Sequence, residues 1–358
     1  MMQDARIGLE RTRAGTTRTT ALLAGLAAAL AAGTSLAQSD RPVEREAAAS
    51  STSASEPAAS RAPAQEFEPS SRVRQDIQGG APGQAPQRWG ALLDVSSTFR
   101  LRGDLDDNRG EVGIYRIGAG VSVSGPVLER GRLSITGGTE QSYYDFARDT
   151  SLITGGGRPW RHIQSYTLGA NLSYQFSETV SGFVLGSIEF AGEDSAAWND
   201  GFMGGGGGGL FFKVTDDLDL GAGVIVRSRL GGGTRVFPIV GIDWRFAPNW
   251  RLSNENQPGL YLSYRPNETW RFSAGARYDS SEFRLEEDNF VPSGIGRDSR
   301  VPVTIGVDWS PIPTLIVQGR IGAMVYQELQ LRDRDRNELA STNVDPNLFV
   351  SIGLVLRF

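Results

Sequence analysis

Side chains suited to acid–base, nucleophilic or metal chemistry are scarce in this sequence, and their spacing works against such chemistry. His162 is the single histidine and there is no cysteine. Ser165 lies three residues further on, and along an extended strand an odd offset turns two side chains to opposite faces. A serine hydroxyl activated by a neighbouring histidine is therefore not formed locally. The acidic stretches Asp104–Asn108 and Asp333–Glu338 offer carboxylates for Ca²⁺ but lack the EF-hand spacing and its glycine. The six glycines at 204–209 are not followed by Lys-Ser/Thr, so they form no phosphate loop. They read as a strand whose missing side chains allow curvature or the close approach of a loop. No catalytic residue, metal site or cofactor is expected.

Arginine is what the sequence supplies. Of the 36 basic residues only Lys213 is a lysine. By alternation along their segments, Arg100, Arg102, Arg116, Arg227, Arg229, Arg245, Arg271, Arg277, Arg320 and Arg357 share one face with Asp94, Glu189, Asp219, Asp243, Asp279 and Asp308. Two readings follow for this face: an arginine-lined constriction favouring anions, or a lattice of paired charges that stiffens a wetted wall.

The elements that hold these side chains repeat with a period of two. Phe358, Leu356, Leu354, Ile352, Val350 and Leu348 are apolar, and the residues between them are mixed. Val301, Val303, Ile305, Val307 and Trp309 repeat the pattern, as do Tyr166, Leu168, Ala170, Leu172, Tyr174 and Phe176. Strand side chains alternate between faces, so each segment has one greasy face; a helix needs a spacing near 3.6. Glycine, with 45 residues, adds to the case against helices, since it costs about 1 kcal/mol at each helix-interior site.

Strand length, loop asymmetry and aromatic placement point to lipid. Several segments exceed the 5–6 residues usual in globular strands and suit the ~9–11 of a tilted membrane strand. Short turns at 177–179, 216–217, 247–249, 266–268 and 311–313 alternate with longer polar loops, the expected topology of a barrel. Tyr174, Phe176, Trp244, Phe246, Trp250, Tyr264, Trp270, Trp309 and Phe358 cluster by the short turns. Tyr143, Tyr144, Phe146, Phe190, Tyr278 and Tyr326 lie near the long loops, which would give a ring at each interface. The expectation is an all-β, transmembrane antiparallel up-and-down β-barrel over 89–358 with about fourteen strands. The count falls to twelve if the short pair 249–265 lies outside the wall.

The ends carry an address. Residues 1–37 have a basic leading region, an apolar run at Ala21–Ala32 and the cleavage-like Ser35-Leu36-Ala37, the organisation of a secretory signal peptide. Residues 38–88 are rich in Ala, Ser, Pro, Gln and Glu and are expected to be a disordered periplasmic segment. A net charge of −5 shows no basic surplus for nucleic acid.

Ending on Phe358, with apolar residues at alternate positions before it, the chain resembles bacterial outer-membrane β-barrel proteins of the porin-like kind. The resemblance implies a location in the outer membrane and a barrel-assembly machinery that reads Leu354, Leu356 and Phe358. Outer-membrane lipid and lipopolysaccharide are the other expected partners. The functional expectation is a passive, weakly anion-selective channel for small solutes. The alternatives are a non-conducting structural or adhesive barrel and a lipid-modifying enzyme of the same membrane.

Overall fold

In the computed structural model, residues 88–358 are described apart from 148–149, 151, 154–156 and 255–258. Residues 1–37, where a signal peptide is expected, and nearly all of the segment 38–88 lie outside them. Alternating apolar and small residues give extended chain throughout: β1 Gly90–Asp104, β2 Glu111–Val127, β3 Gly131–Phe146, β4 His162–Gln175, β5 Val180–Glu193, β6 Phe202–Thr215, β7 Leu218–Ser228 and β8 Thr234–Ala247. They are followed by β9 Trp250–Ser253, β10 Gly259–Tyr264, β11 Trp270–Arg277, β12 Asp279–Arg284, β13 Ile295–Ile312, β14 Leu315–Arg332, β15 Glu338–Asn343 and β16 Asn347–Arg357. Among the described residues no helix is long and apolar enough to cross a membrane.

Sequential antiparallel pairing runs from β1 to β11, then through β13, β14 and β16 back to β1. Leaving aside β12 and β15, which add to β13 and β14 above the wall, fourteen strands form a closed ring. The seam pairs Leu92 with Arg357 and Arg100 with Phe349. Closure leaves no bare sheet edge along the seam, as hydrocarbon requires. The pair β9–β10 belongs to the wall, so the twelve-strand alternative is excluded. β11 and β12 are divided at Tyr278, where β12 departs from the line of β11.

The outward face is an apolar belt. Val184 is 65 % exposed, Ile352 63 % and Val240 76 %, values foreign to a core residue and normal for one facing lipid. At the short-turn rim the aromatic rings touch in sequence: Trp244–Phe246 at 5.4 Å, Phe246–Trp250 at 6.3 Å, Trp250–Tyr264 at 4.7 Å, Trp270–Trp309 at 6.0 Å. The loop rim carries Tyr115, Tyr143, Tyr166, Trp198 and Phe202. Tyr144 and Phe146 are not part of it. They share the inward parity of Val112 and Ile114, which they pair across from, and are buried inside the ring.

Candidate functional site

Inward side chains at the loop end of the ring meet in one apolar cluster. Val112 and Ile114 of β2, Tyr144 and Phe146 of β3, Ile163 of β4, Met203 of β6 and Leu329 of β14 come from around the wall. Trp160, Phe283, Leu285, Val291 and Ile295 fill the middle. Phe283 is carried by β12, which turns inward and bridges to β5 between Arg284 and Gly192. Its ring lies on Gly296, where a Cβ would collide with it. The loop after β12 is tied down by Asn289, whose Nδ2 donates to Pro159 O and to Glu193, each at 2.9 Å. Glu193 also accepts from Glu286 N at 3.1 Å and Arg161 N at 3.2 Å. Burial raises the Glu193 carboxyl above its ordinary value, helped by nearby Glu286 and opposed by these donors. The result is an apolar plug across the barrel.

Directly against the plug lies a buried polar layer centred on Asp298. Its carboxylate accepts from Arg116 Nη2 at 2.8 Å, Tyr144 Oη at 2.9 Å, Gln327 Nε2 at 2.6 Å and Arg300 Nη1 at 3.2 Å. Arg116 also donates to Ser142 Oγ at 3.1 Å and stands 3.7 Å from Glu140. Arg100 reaches Gln327, while its Nε and Nη2 have no hydrogen-bond partner among the described residues.

On the other side of this layer a cavity of about 210 Å³ extends toward the short turns. Arg116, Arg265, Arg271, Arg277, Arg300, Arg320 and Arg357 line it, with Asp94, Glu140, Glu268, Asp279 and Asp308. Seven cations thus face five anions of the wall and the roof carboxylate of Asp298, which holds Arg116 and Arg300. Arg271 donates to Asp308 from Nε at 2.7 Å, and Arg320 lies 3.7 Å from the same carboxylate. Arg277 donates to Asp279 at 2.8 Å. The arrangement is a vestibule with a charged wall, roofed by Asp298 and the plug.

Of the expected lumen residues, Arg116, Arg271, Arg277, Asp308 and Arg320 line this vestibule. Arg100 sits in the layer above. Arg227 pairs with Glu189 at 2.7 Å and Arg229 with Glu282 at 2.5 Å, both on inner faces. Asp243 is held by Arg251, from Nε at 2.7 Å and Nη2 at 2.5 Å, and Arg245 caps the turn carbonyl of Asp216 at 3.0 Å. Arg102 is a correction. A bulge between Arg100 and Gly103 reverses its parity, and it points outward to Asp145 at 2.5 Å and Glu111 at 3.8 Å. Leu354, Leu356 and Phe358 lie on the outer face of the closing strand, with Phe358 N donating to Ala91 O at 2.9 Å.

Asp298, Arg300, Gln327 and Arg265 were not singled out in the sequence. The first three lie where Arg297-Asp298-Ser299-Arg300 and Tyr326-Gln327-Glu328 replace the apolar alternation by polar residues on both faces. A run of charged and polar residues beside a loop is the only hint. His162 lies on the outer face, stacked on Tyr143 at 4.2 Å with Nδ1 2.6 Å from Asp194. Ser165, on the inner face, is not among its partners. Among the described residues no three His, Asp or Glu side chains gather as a metal site; Asp107 pairs with Arg109, and Asp333 caps Asn337 N at 2.8 Å.

A closed ring with an apolar belt, paired interface rings and a charged lumen defines an outer-membrane-type β-barrel. A family model described as a domain of unknown function (DUF6268) matches residues 187–357, from within β5 to the end of β16. Among solved structures the chain is similar to an outer membrane channel from Pseudomonas putida F1, with 10% identity over 78% of this chain and 100% of that one, at a TM-score of 0.45. It is also similar to a Pseudomonas aeruginosa FadL homologue, with 13% identity over 75% and 90% and a TM-score of 0.43. The translocator domain of the autotransporter NalP from Neisseria meningitidis gives 12% identity over 80% and 92% and a TM-score of 0.38. A search of curated proteins finds no match.

Proposed function

We propose that this barrel is an outer-membrane channel for small anionic solutes that is closed in the conformation described here. Solutes enter the vestibule from the short-turn side, and passage requires the plug carried by β12 and the loop after it to move. The single observation that carries the reading is the vestibule itself, a charged cavity with a surplus of guanidinium lying inside a closed ring. An excess of cations on the wall raises the local concentration of anions through the same focusing that steers charged ligands into clefts. In this reading the chain is exported by a cleaved leader, assembled through recognition of its last strand, and surrounded by outer-membrane lipid and lipopolysaccharide.

Purified barrel in a planar bilayer under a salt gradient provides the test. The native protein is expected to conduct in rare, brief events with a reversal potential of anionic sign. Replacing residues 286–293 by a short Gly-Ser linker should give steady conductance of the same selectivity. A cation-selective potential would reject the anion reading. A linker variant that folds and never conducts would leave the second reading, a structural barrel, which the completeness of the roof favours.

A further inference from the structure

Several inward arginines of the barrel hold their acids in the same way. The edge of a guanidinium group formed by Nε and Nη2 presents two parallel N–H donors, a fork that matches the two oxygens of a carboxylate. Arg251 turns this edge on Asp243, from Nε at 2.7 Å and Nη2 at 2.5 Å. Arg271 turns it on Asp308, at 2.7 and 2.5 Å. Arg229 turns it on Glu282, at 3.1 and 2.5 Å.

Arg100 departs from this rule. It is buried, and its Nη1 donates to the neutral amide oxygen of Gln327. Its Nε and Nη2, the two donors of the same edge, are buried with no hydrogen-bond partner among the described residues. A buried charged donor left unmatched is costly, because water no longer solvates it. Neighbouring charges do not compensate. Asp298 attracts Arg100 through space, but Arg116 and Arg300 repel it, and Asp298 already accepts from four donors. Arg116 and Arg300 each have a second acid, Glu140 and Asp279, at 3.7 Å. The described partners of Arg100 include no acid.

The position of Arg100 gives this edge a role. The vestibule wall includes Thr98, two residues before Arg100 on the same face of β1, and Phe349, which pairs with Arg100 across the seam. Ile114, opposite Arg100 on β2, belongs to the plug. Arg100 thus stands at the boundary between the vestibule and the plug.

We propose that Arg100 is the receptor for a carboxylate-bearing solute, whose two oxygens take Nε and Nη2 at this boundary; the inference rests on the channel reading for the route by which the solute arrives. The fork selects a planar monoanion. Chloride offers no pair of oxygens, and the second charge of phosphate would be set against Asp298.

Formate, the smallest carboxylate, is the probe. The full chain in lipid vesicles is titrated with formate, chloride or phosphate at constant ionic strength, and the urea midpoint is followed, since a ligand that binds only the folded barrel raises it. Formate should act at about tenfold lower concentration than the other two anions. Arg100→Lys keeps the charge and loses the parallel donors, so the formate-specific rise should vanish. Arg251→Lys, at an edge that already holds Asp243, should retain it. An equal response to the three anions, or a formate rise that survives Arg100→Lys, would overturn the proposal. If Arg100→Lys does not fold, infrared spectra of the native barrel with ¹³C-formate decide: a shifted, saturable band that equal chloride does not displace is expected, and its absence rejects the site. The bilayer measurement separates the two readings. Cation selectivity with formate binding intact rejects the channel reading and leaves the receptor, whereas anionic selectivity without a formate effect rejects the receptor alone.

Discussion

Replacing Asp298 by Asn tests whether the roof of the vestibule is held by one carboxylate. Asp298 is fully buried and takes hydrogen bonds from Arg116, Arg300, Tyr144 and Gln327. The amide keeps the shape of the side chain and removes its charge, leaving Arg100, Arg116 and Arg300 buried with one anion fewer. Breaking a buried pair by neutralising one partner costs about 3–5 kcal/mol. Asp243→Asn is the control, because its partner Arg251 is 37 % exposed and such pairs contribute at most about 1 kcal/mol. At an m-value of ~2 kcal/mol/M the first change should lower the urea midpoint by roughly 2 M and the second by well under 1 M. Both are read by refolding into lipid vesicles and following tryptophan fluorescence. Equal midpoints for Asp298→Asn and the native chain would refute the idea that this layer is a cohesive element.

Phe283→Ala empties the centre of the plug, where the ring meets Trp160 at 5.1 Å. A loss of ~3–5 kcal/mol is expected, with more frequent channel openings in single-channel records. Because burial raises the Glu193 carboxyl, the cap is favoured by its protonated form; that contribution is present below about pH 4.5 and fades as pH rises through the raised value. Amide exchange at residues 285–294, corrected for intrinsic rates, should therefore quicken from acid to neutral pH, and Glu193→Gln should flatten the profile. Gly241→Val drives a side chain into the ring of Phe211, which lies flat on Gly221 and Gly241, and should cost about 1–3 kcal/mol in the same urea assay.

The wall was legible in the sequence because a membrane barrel writes its constraint into every second residue. Val303, Ile305 and Trp309, or Ile352, Leu354 and Leu356, are apolar because each faces lipid, and the residues between them are free to be small or charged. The same rule located Arg116, Arg271 and Arg320 on the inner face. It failed at Arg102, where one extra residue in β1 reverses the parity, a change that leaves no mark on composition. It failed again at Asp298 and Gln327, which lie where β13 and β14 rise past the belt and polar residues occupy both faces. The plug was the least legible part. Tyr144 and Phe146 were expected in an interface ring, because an aromatic near a strand end serves an interface or an interior equally well. Only the pairing with Val112 and Ile114 decides. The inward turn of β12 depends on Phe283 meeting Trp160, residues more than a hundred positions apart.

The seam joins the first strand to the last, with Ala91 and Phe358 exchanging backbone hydrogen bonds at 2.9 and 3.1 Å. The ring cannot close without β16, so a wall that lacks this strand keeps two naked margins. A chain shortened by one strand would remain an open, adhesive sheet.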